Sequence, residues 1–390
     1  MGYEALARRW RPRIFSEVAG QPEAVKALVN ALDTDRLHHA YLFSGSRGVG
    51  KTTIARIFAK ALNCVEGVSS SPCGSCASCL EIDQGRMIDL IEVDAASRTK
   101  VEETRQLLDN VQYAPTRSRF KVYLIDEVHM FSKHSFNALL KTLEEPPSHV
   151  KFLLATTDPE KLPVTVLSRC LKFGLKKVGV GLIIAQLEKI LLDEKIPFED
   201  SALNQIARAA DGSVRDALSL LDQAIVHGRG RLTKDDTSKM LGLAQHETIL
   251  EIFRLVKEVD GPTLLDFSRE LALQAPNFEL ILKQMLDVVQ KIAVIQIVGI
   301  SEAGENENLE ELSELAKNIG PEDCQLYYEI ILQGLRNLEF SSDYESAFEM
   351  ILVRLLAFTP NSISPENPLA NLGDAEKIDK DGVANVGESE

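Results

Sequence analysis

Residues 45–52 read Gly45-Ser46-Arg47-Gly48-Val49-Gly50-Lys51-Thr52, the G-x-x-x-x-G-K-T spacing of a loop that cradles phosphates. The glycines let the backbone curl so that successive N–H groups converge on one anion-sized hollow. Lys51 can reach the β- and γ-phosphates of a nucleotide, and the Thr52 hydroxyl is placed to ligate Mg²⁺. An apolar strand, residues 40–43, precedes the loop, and a helical run opening at Thr53 follows it. The positive end of that helix therefore adds to the same hollow. The stretch from Gly45 through Thr53 is expected to hold a nucleoside triphosphate. A ligand-free glycine turn is the bland alternative, and four correct fixed positions with both flanks correct weigh against it.

Residues 120–127, Phe-Lys-Val-Tyr-Leu-Ile-Asp-Glu, form an apolar strand ending in two carboxylates. The first, Asp126, is placed to hold Mg²⁺ through water. The second, Glu127, is placed to orient or deprotonate an attacking water. Alone, such a pair is better read as a solvated strand end. Downstream of a phosphate loop it points to ATP hydrolysis.

Four cysteines, Cys64, Cys73, Cys76 and Cys79, follow the spacing C-x8-C-x2-C-x2-C. Two thiolates separated by two residues can chelate an ion from one turn, and four fill the tetrahedral shell of structural Zn²⁺. Iron–sulfur ligation or unmetallated thiols are the alternatives. With no open coordination position, zinc would staple a loop and take no part in catalysis.

These residues need elements to position them. Strands are expected at 40–43, 89–94, 120–126, 150–157 and 171–173, alternating with helices, one of them from about Lys100 through Val111 and another ending before Pro146. That order predicts an α/β fold with a parallel sheet covered on both faces. From Gly179 onward the pattern is helical, with two helices joined at Asp211-Gly212-Ser213 and Ser213 as the N-cap of the second. The expected parts are 1–178, nucleotide-binding with the cysteine insertion at 64–79; 179–242, a helical lid; 243–360, an all-helical domain; and 361–390, a disordered tail too poor in apolar residues to pack.

The chain has 390 residues, 45% of them hydrophobic and 26% charged, which suits two or three globular domains. It has no run of eighteen apolar residues and no signal-peptide core at its N-terminus, so a cytoplasmic protein without membrane contact is expected. The net charge of −15 argues against a protein that coats nucleic acid. Residues 1–60, however, carry ten Lys/Arg against five Asp/Glu, so that end can still face DNA.

The phosphate loop, the cysteine insertion and the helical remainder together resemble the AAA+ clamp-loader ATPases. Residues 3–12 (Tyr-Glu-Ala-Leu-Ala-Arg-Arg-Trp-Arg-Pro), 15–21, 38–43, 139–147 and Ser168-Arg169-Cys170 resemble the γ/τ family of bacterial DNA polymerase III subunits. The resemblance implies a motor that opens a sliding clamp and loads it onto primed DNA, within a hetero-oligomer of clamp-loader subunits joined through 243–360. It also implies roles for further residues. Arg169 resembles an arginine finger that completes a neighbouring subunit's site; without the motif it would read as a surface arginine paired to a carboxylate. Thr157 looks like a polar sensor of the γ-phosphate or water. Arg215 looks like a second sensor reaching from the lid, and a cation in a helix's first turn runs against the helix dipole. Residues 8–12 and Val18 would wrap the adenine. The longer τ form carries extra C-terminal domains, so contacts to polymerase and helicase are not carried over.

Three rival readings remain. An ATP-binding scaffold without turnover is opposed by the intact Lys51, Asp126, Glu127 and Arg169. A zinc-module nucleic-acid binder is opposed by the insert 64–79, which has no Lys, Arg or aromatic residue. Another AAA+ DNA-remodelling ATPase, a Holliday-junction motor or replication initiator, would not be expected to carry the cysteine cluster.

Overall fold

The computed structural model describes residues 4–97, 110–243, 246–273, 277–299, 309–338 and 340–359. The chain divides into two compact units, Met1–Leu241 and Gly242–Glu390. The helix expected from about Lys100 falls largely outside the described residues, as does the tail beyond Thr359.

The first unit is built on five parallel strands, β1 (Ala40–Ser44), β2 (Leu90–Asp94), β3 (Lys121–Asp126), β4 (Val150–Thr156) and β5 (Leu171–Gly174), in the order β2-β3-β4-β1-β5. All seven residues of β4 are buried, as expected for a central strand covered on both faces. Alternate side chains divide between two cores. Tyr41, Phe43 and Leu124 join Ile54 and Phe58 of the helix Lys51–Asn63, while Leu42, Tyr123 and Ile125 join Phe136 and Leu139 of the helix Lys133–Glu144. In chain order the helices of this part are α1 (Leu6–Arg9), α2 (Pro22–Asp33), α3 (Lys51–Asn63), α4 (Ala77–Asp83), α5 (Lys133–Glu144) and α6 (Val164–Leu167).

Four helices complete the unit: α7 (Val180–Glu194), α8 (Asp200–Ala209), α9 (Val214–His227) and α10 (Lys234–Leu241). Ile183, Leu187, Leu203, Ile206 and Leu221 form their core, and Leu6 of α1 is buried in it. The Leu6 N–H also donates to Asp222 Oδ2 at 2.8 Å, which ties the N-terminal segment to α9. The expected N-cap holds, with Ser213 Oγ accepting from the Asp216 N–H at 3.1 Å. The purely helical expectation misses one parallel bridge, Phe198 to Leu232. It closes the base of α8 where an extended segment returns beside Pro197.

The second unit is helical among its described residues: α11 (His246–Glu258), α12 (Gly261–Ala272), α13 (Phe278–Val298), α14 (Leu309–Asn318), α15 (Pro321–Leu338) and α16 (Tyr344–Ala357). Its core includes Phe253, Met285, Ile292, Tyr327, Ile331, Phe348 and Leu352. Gly334 permits α15 and α16 to approach closely, because a Cβ there would stand 2.4 Å from Ile351 Cδ1. No described helix is long and apolar enough to cross a membrane.

Candidate nucleotide site and four-cysteine cluster

The C-terminal ends of three adjacent strands meet at one place. The phosphate loop follows β1, Asp126 ends β3, and Thr157 follows β4, which lies between the other two. Open parallel sheets bind ligands at this edge. Gly50 caps α3 with φ of 105°, a conformation that favours glycine. Gly48 meets the lid so closely that a Cβ would stand 1.8 Å from Ser213 Oγ.

Lys51 is buried, and its Nζ donates to the carbonyls of Gly45 at 2.8 Å and Ser46 at 3.0 Å. Burial pulls its ammonium below the ordinary lysine range, against the opposite pull of Glu127, Asp126 and Asp158. The Thr52 hydroxyl donates to Asp126 Oδ2 at 2.7 Å, so a hydroxyl and a carboxylate expected to hold Mg²⁺ already share one point. This pair of hard oxygen donors suits that ion.

Glu127 has φ of 48°, a left-handed conformation that is costly for a side-chain-bearing residue. One carboxylate oxygen, Oε2, accepts from the Thr157 N–H and from Thr157 Oγ1, both at 3.1 Å. Thr157 was expected to end β4. The strand stops at Thr156 instead, and the freed Thr157 N–H serves Glu127 rather than the sheet.

The same cleft is lined by Trp10, Arg11, Pro12, Val18, Thr53 and Arg215. The expectation for residues 8–12 needs correction. Arg8 pairs with Glu4 at 3.1 Å and Arg9 with Glu194, so neither faces this cleft. Both lie on the short helix α1, whose buried side is taken by Leu6.

Arg169 is placed elsewhere. β5 runs parallel to β1 with Leu171 opposite Tyr41 and Gly174 opposite Ser44. The phosphate loop leaves the far end of β1, so Arg169 and the loop lie at opposite ends of the sheet, roughly 15 Å apart along the strands. Arg169 donates to Glu144 Oε1 and to the Thr165 carbonyl, each at 2.8 Å.

Three residues escaped the sequence reading. His129 Nδ1 lies 3.0 Å from Thr156 Oγ1 and 3.4 Å from Glu127 Oε2, and its Nε2 lies 3.2 Å from Asp158 Oδ2. It and Asp158 thus brace the carboxylate that Thr157 holds. Gln21 is buried and bridges the Lys176 carbonyl at 2.7 Å to the Val49 carbonyl at 3.4 Å. No local motif marks any of the three, since each acts across sequence-distant segments.

The four cysteines converge as the spacing predicts, with all sulfurs within 4.8 Å of one another. A tetrahedral Zn–S₄ centre requires sulfurs about 3.8 Å apart, and Cys73 and Cys79 lie 4.0 Å apart. Backbone N–H groups of Cys73, Cys76 and Cys79 donate to the sulfurs of Cys64, Cys73 and Cys76, respectively. Such donors favour thiolates. The Cys73 thiol is pulled down to about 6 by the N–H groups of Cys76 and Ser75, while burial pushes Cys79 up.

A glycine-rich loop opening a helix, paired acids at the end of β3, one strand removed from β1, and a helical lid closing over them define the P-loop AAA+ class. Comparison with known proteins is more particular. Residues 20–179 match the family described as "DNA polymerase III, delta subunit". Residues 182–230 match "DNA polymerase III clamp loader subunit, ATPase lid domain", and 232–371 match "DNA polymerase III subunits gamma and tau domain III". The chain is 54% identical to the DNA polymerase III subunit tau of Escherichia coli over 94% of its own length and 57% of that protein. It is 44% identical to the DNA polymerase III subunit gamma of Buchnera aphidicola subsp. Baizongia pistaciae, over 91% of this chain and 97% of that one. The chain belongs to the γ/τ family of DNA polymerase III subunits. It spans little more than half the length of the tau relatives it matches.

Proposed function

We propose that the chain is the ATPase motor subunit of a DNA polymerase III clamp loader, which uses ATP binding and hydrolysis to open a sliding clamp and load it onto primed DNA. The carrying observation is the joint placement of Thr52, Asp126, Glu127 and Thr157 at one sheet edge, with Lys51 in the loop beneath. In this reading residues 45–53 bind ATP, and Thr52 and Asp126 hold Mg²⁺, which would polarise the phosphates. Glu127 takes the proton of the attacking water, and Thr157 fixes that carboxylate. Arg215 enters from the lid and reports the γ-phosphate through the lid's position. Arg169 serves a neighbouring subunit.

The second unit, within residues 243–360, supplies the assembly contacts in this reading. Val294, Ile297 and Val298 of α13 are exposed together at helical spacing, which suits a partner helix. The test is reconstitution with the other clamp-loader subunits, the clamp and primed DNA. Phosphate release should accelerate when clamp and primed DNA are both added. Release indifferent to both, or an inability to open the clamp, would favour the scaffold reading.

We further propose that the cysteine cluster holds one structural Zn²⁺. Elemental analysis should find about one zinc per chain. Cys76→Ser should lower the melting temperature while leaving ATP affinity nearly intact, because none of the four cysteines lines the nucleotide cleft. Abundant iron, or no metal at all, would reject the assignment.

A further inference from the structure

A second cleft in the first unit lies beside the nucleotide cleft and shares Arg11 and Arg215 with it. Its lining holds seven arginines and no lysine, on a chain whose net charge is −15. Two carboxylates are present, and both are engaged: Glu4 with the exposed Arg8, and Asp83 with the buried Lys60. Arg11 is half-buried, and its guanidinium has no hydrogen-bond or ion-pair partner among the described residues. Burial, with crowding by Arg56, Arg215 and Arg8, holds its guanidinium below the ordinary range against the opposite pull of Glu92. Arg56 reaches Glu92 through a terminal nitrogen at 2.5 Å, yet its Nε is buried without an acceptor.

Like charges gathered in a concave, partly desolvated surface destabilise the fold unless an anion joins them. Guanidinium forks match phosphate oxygens two at a time, which favours phosphate over a simple halide. The lining has no aromatic residue, so nothing there can stack on a base. We propose that this cleft is a second anion site, which takes consecutive phosphate groups and reads neither base nor sugar. Two sources supply that chemistry, a nucleic-acid backbone and a short inorganic polyphosphate.

Arg13 and Arg86 are exposed lining residues of this cleft and do not line the nucleotide cleft. The test uses the full chain saturated with Mg-ADP, so that the phosphate loop is filled. Binding of labelled oligo-dT is followed by anisotropy, and binding of inorganic tripolyphosphate by calorimetry. Arg13→Glu combined with Arg86→Glu should weaken binding by about tenfold or more and flatten the salt dependence by up to about two phosphate equivalents. ADP affinity should stay unchanged. A loss confined to oligo-dT assigns the backbone, a loss confined to tripolyphosphate assigns the small anion, and a loss of both supports the shared site. If the charge reversals do not fold, Arg13→Gln with Arg86→Gln makes the same test with a smaller loss. Unchanged binding of both probes overturns the proposal. So does tight binding of a polyglutamate peptide with neither phosphate probe retained, which would make the cleft a dock for acidic protein segments.

Discussion

Glu127→Gln is expected to keep ATP bound and to lower turnover by roughly 10²–10⁴, the usual contribution of a positioned proton acceptor. The substitution preserves shape. A glutamine amide oxygen can still accept from the Thr157 N–H and hydroxyl that hold Oε2 at 3.1 Å. Only the ability to take a proton from water is lost. Lys51→Ala differs in kind, since it removes the cation from the floor of the phosphate loop and should abolish nucleotide binding. The pair is distinguished by measuring affinity for a fluorescent ATP analogue beside single-turnover hydrolysis in the assembled complex. Normal turnover by Glu127→Gln would remove Glu127 from the mechanism. The proposed ATP-binding role of the loop would then stand or fall on Lys51→Ala alone.

The groups at this site were legible to different degrees, and the reason is their distance along the chain. The phosphate loop is a local object: its glycines, Lys51 and Thr52 need only a strand before them and a helix after. Asp126 and Glu127 are also local, as polar residues that end an apolar strand. The four cysteines lie within sixteen residues, and their sulfurs meet because short turns leave them little freedom. His129 and Asp158 could not be found this way. Their roles exist only because β3 and β4 are neighbours in the sheet, an adjacency that residues 120–157 do not display as a pattern. Gln21 joins Val49 to Lys176, two segments more than a hundred residues apart. The second cleft arises in the same way, where the N-terminal segment meets α3, α4 and α9. Arg215 and Thr157 became candidates through family resemblance. In the structure Thr157 donates to Glu127 and Arg215 lines the nucleotide cleft. Arg8 and Arg9 show the converse, since the resemblance implies that all of residues 8–12 wrap the adenine. The turn of α1 sends its members in different directions.

Hydrolysis should be completed between subunits, and Arg169 is the group that tests this. Parallel pairing of β5 with β1 puts Arg169 at the end of the sheet opposite its own phosphate loop. Within one chain its charge is met by Glu144 at 2.8 Å, and both side chains are partly exposed. An exposed pair of this sort contributes little to stability, about 0–1 kcal/mol. Arg169→Ala should therefore fold and bind ATP normally. An arginine supplied to a neighbour's γ-phosphate, by contrast, contributes about 10³–10⁵ in rate. The two effects differ by orders of magnitude, so the outcome is decisive. In assemblies made only of Arg169→Ala subunits, turnover should fall by that factor. Mixing these subunits with Lys51→Ala subunits, which bind no nucleotide but keep Arg169, should restore hydrolysis wherever a Lys51→Ala neighbour faces an intact site. Recovery should rise with the fraction of such mixed interfaces, read by phosphate release across a series of mixing ratios. A melting temperature equal to that of the parent chain would exclude a folding defect as the cause of the loss. Equal inactivity at every ratio, with assembly confirmed by native mass spectrometry, would show that Arg169 does not act in trans and would leave it as the partner of Glu144 and the Thr165 carbonyl.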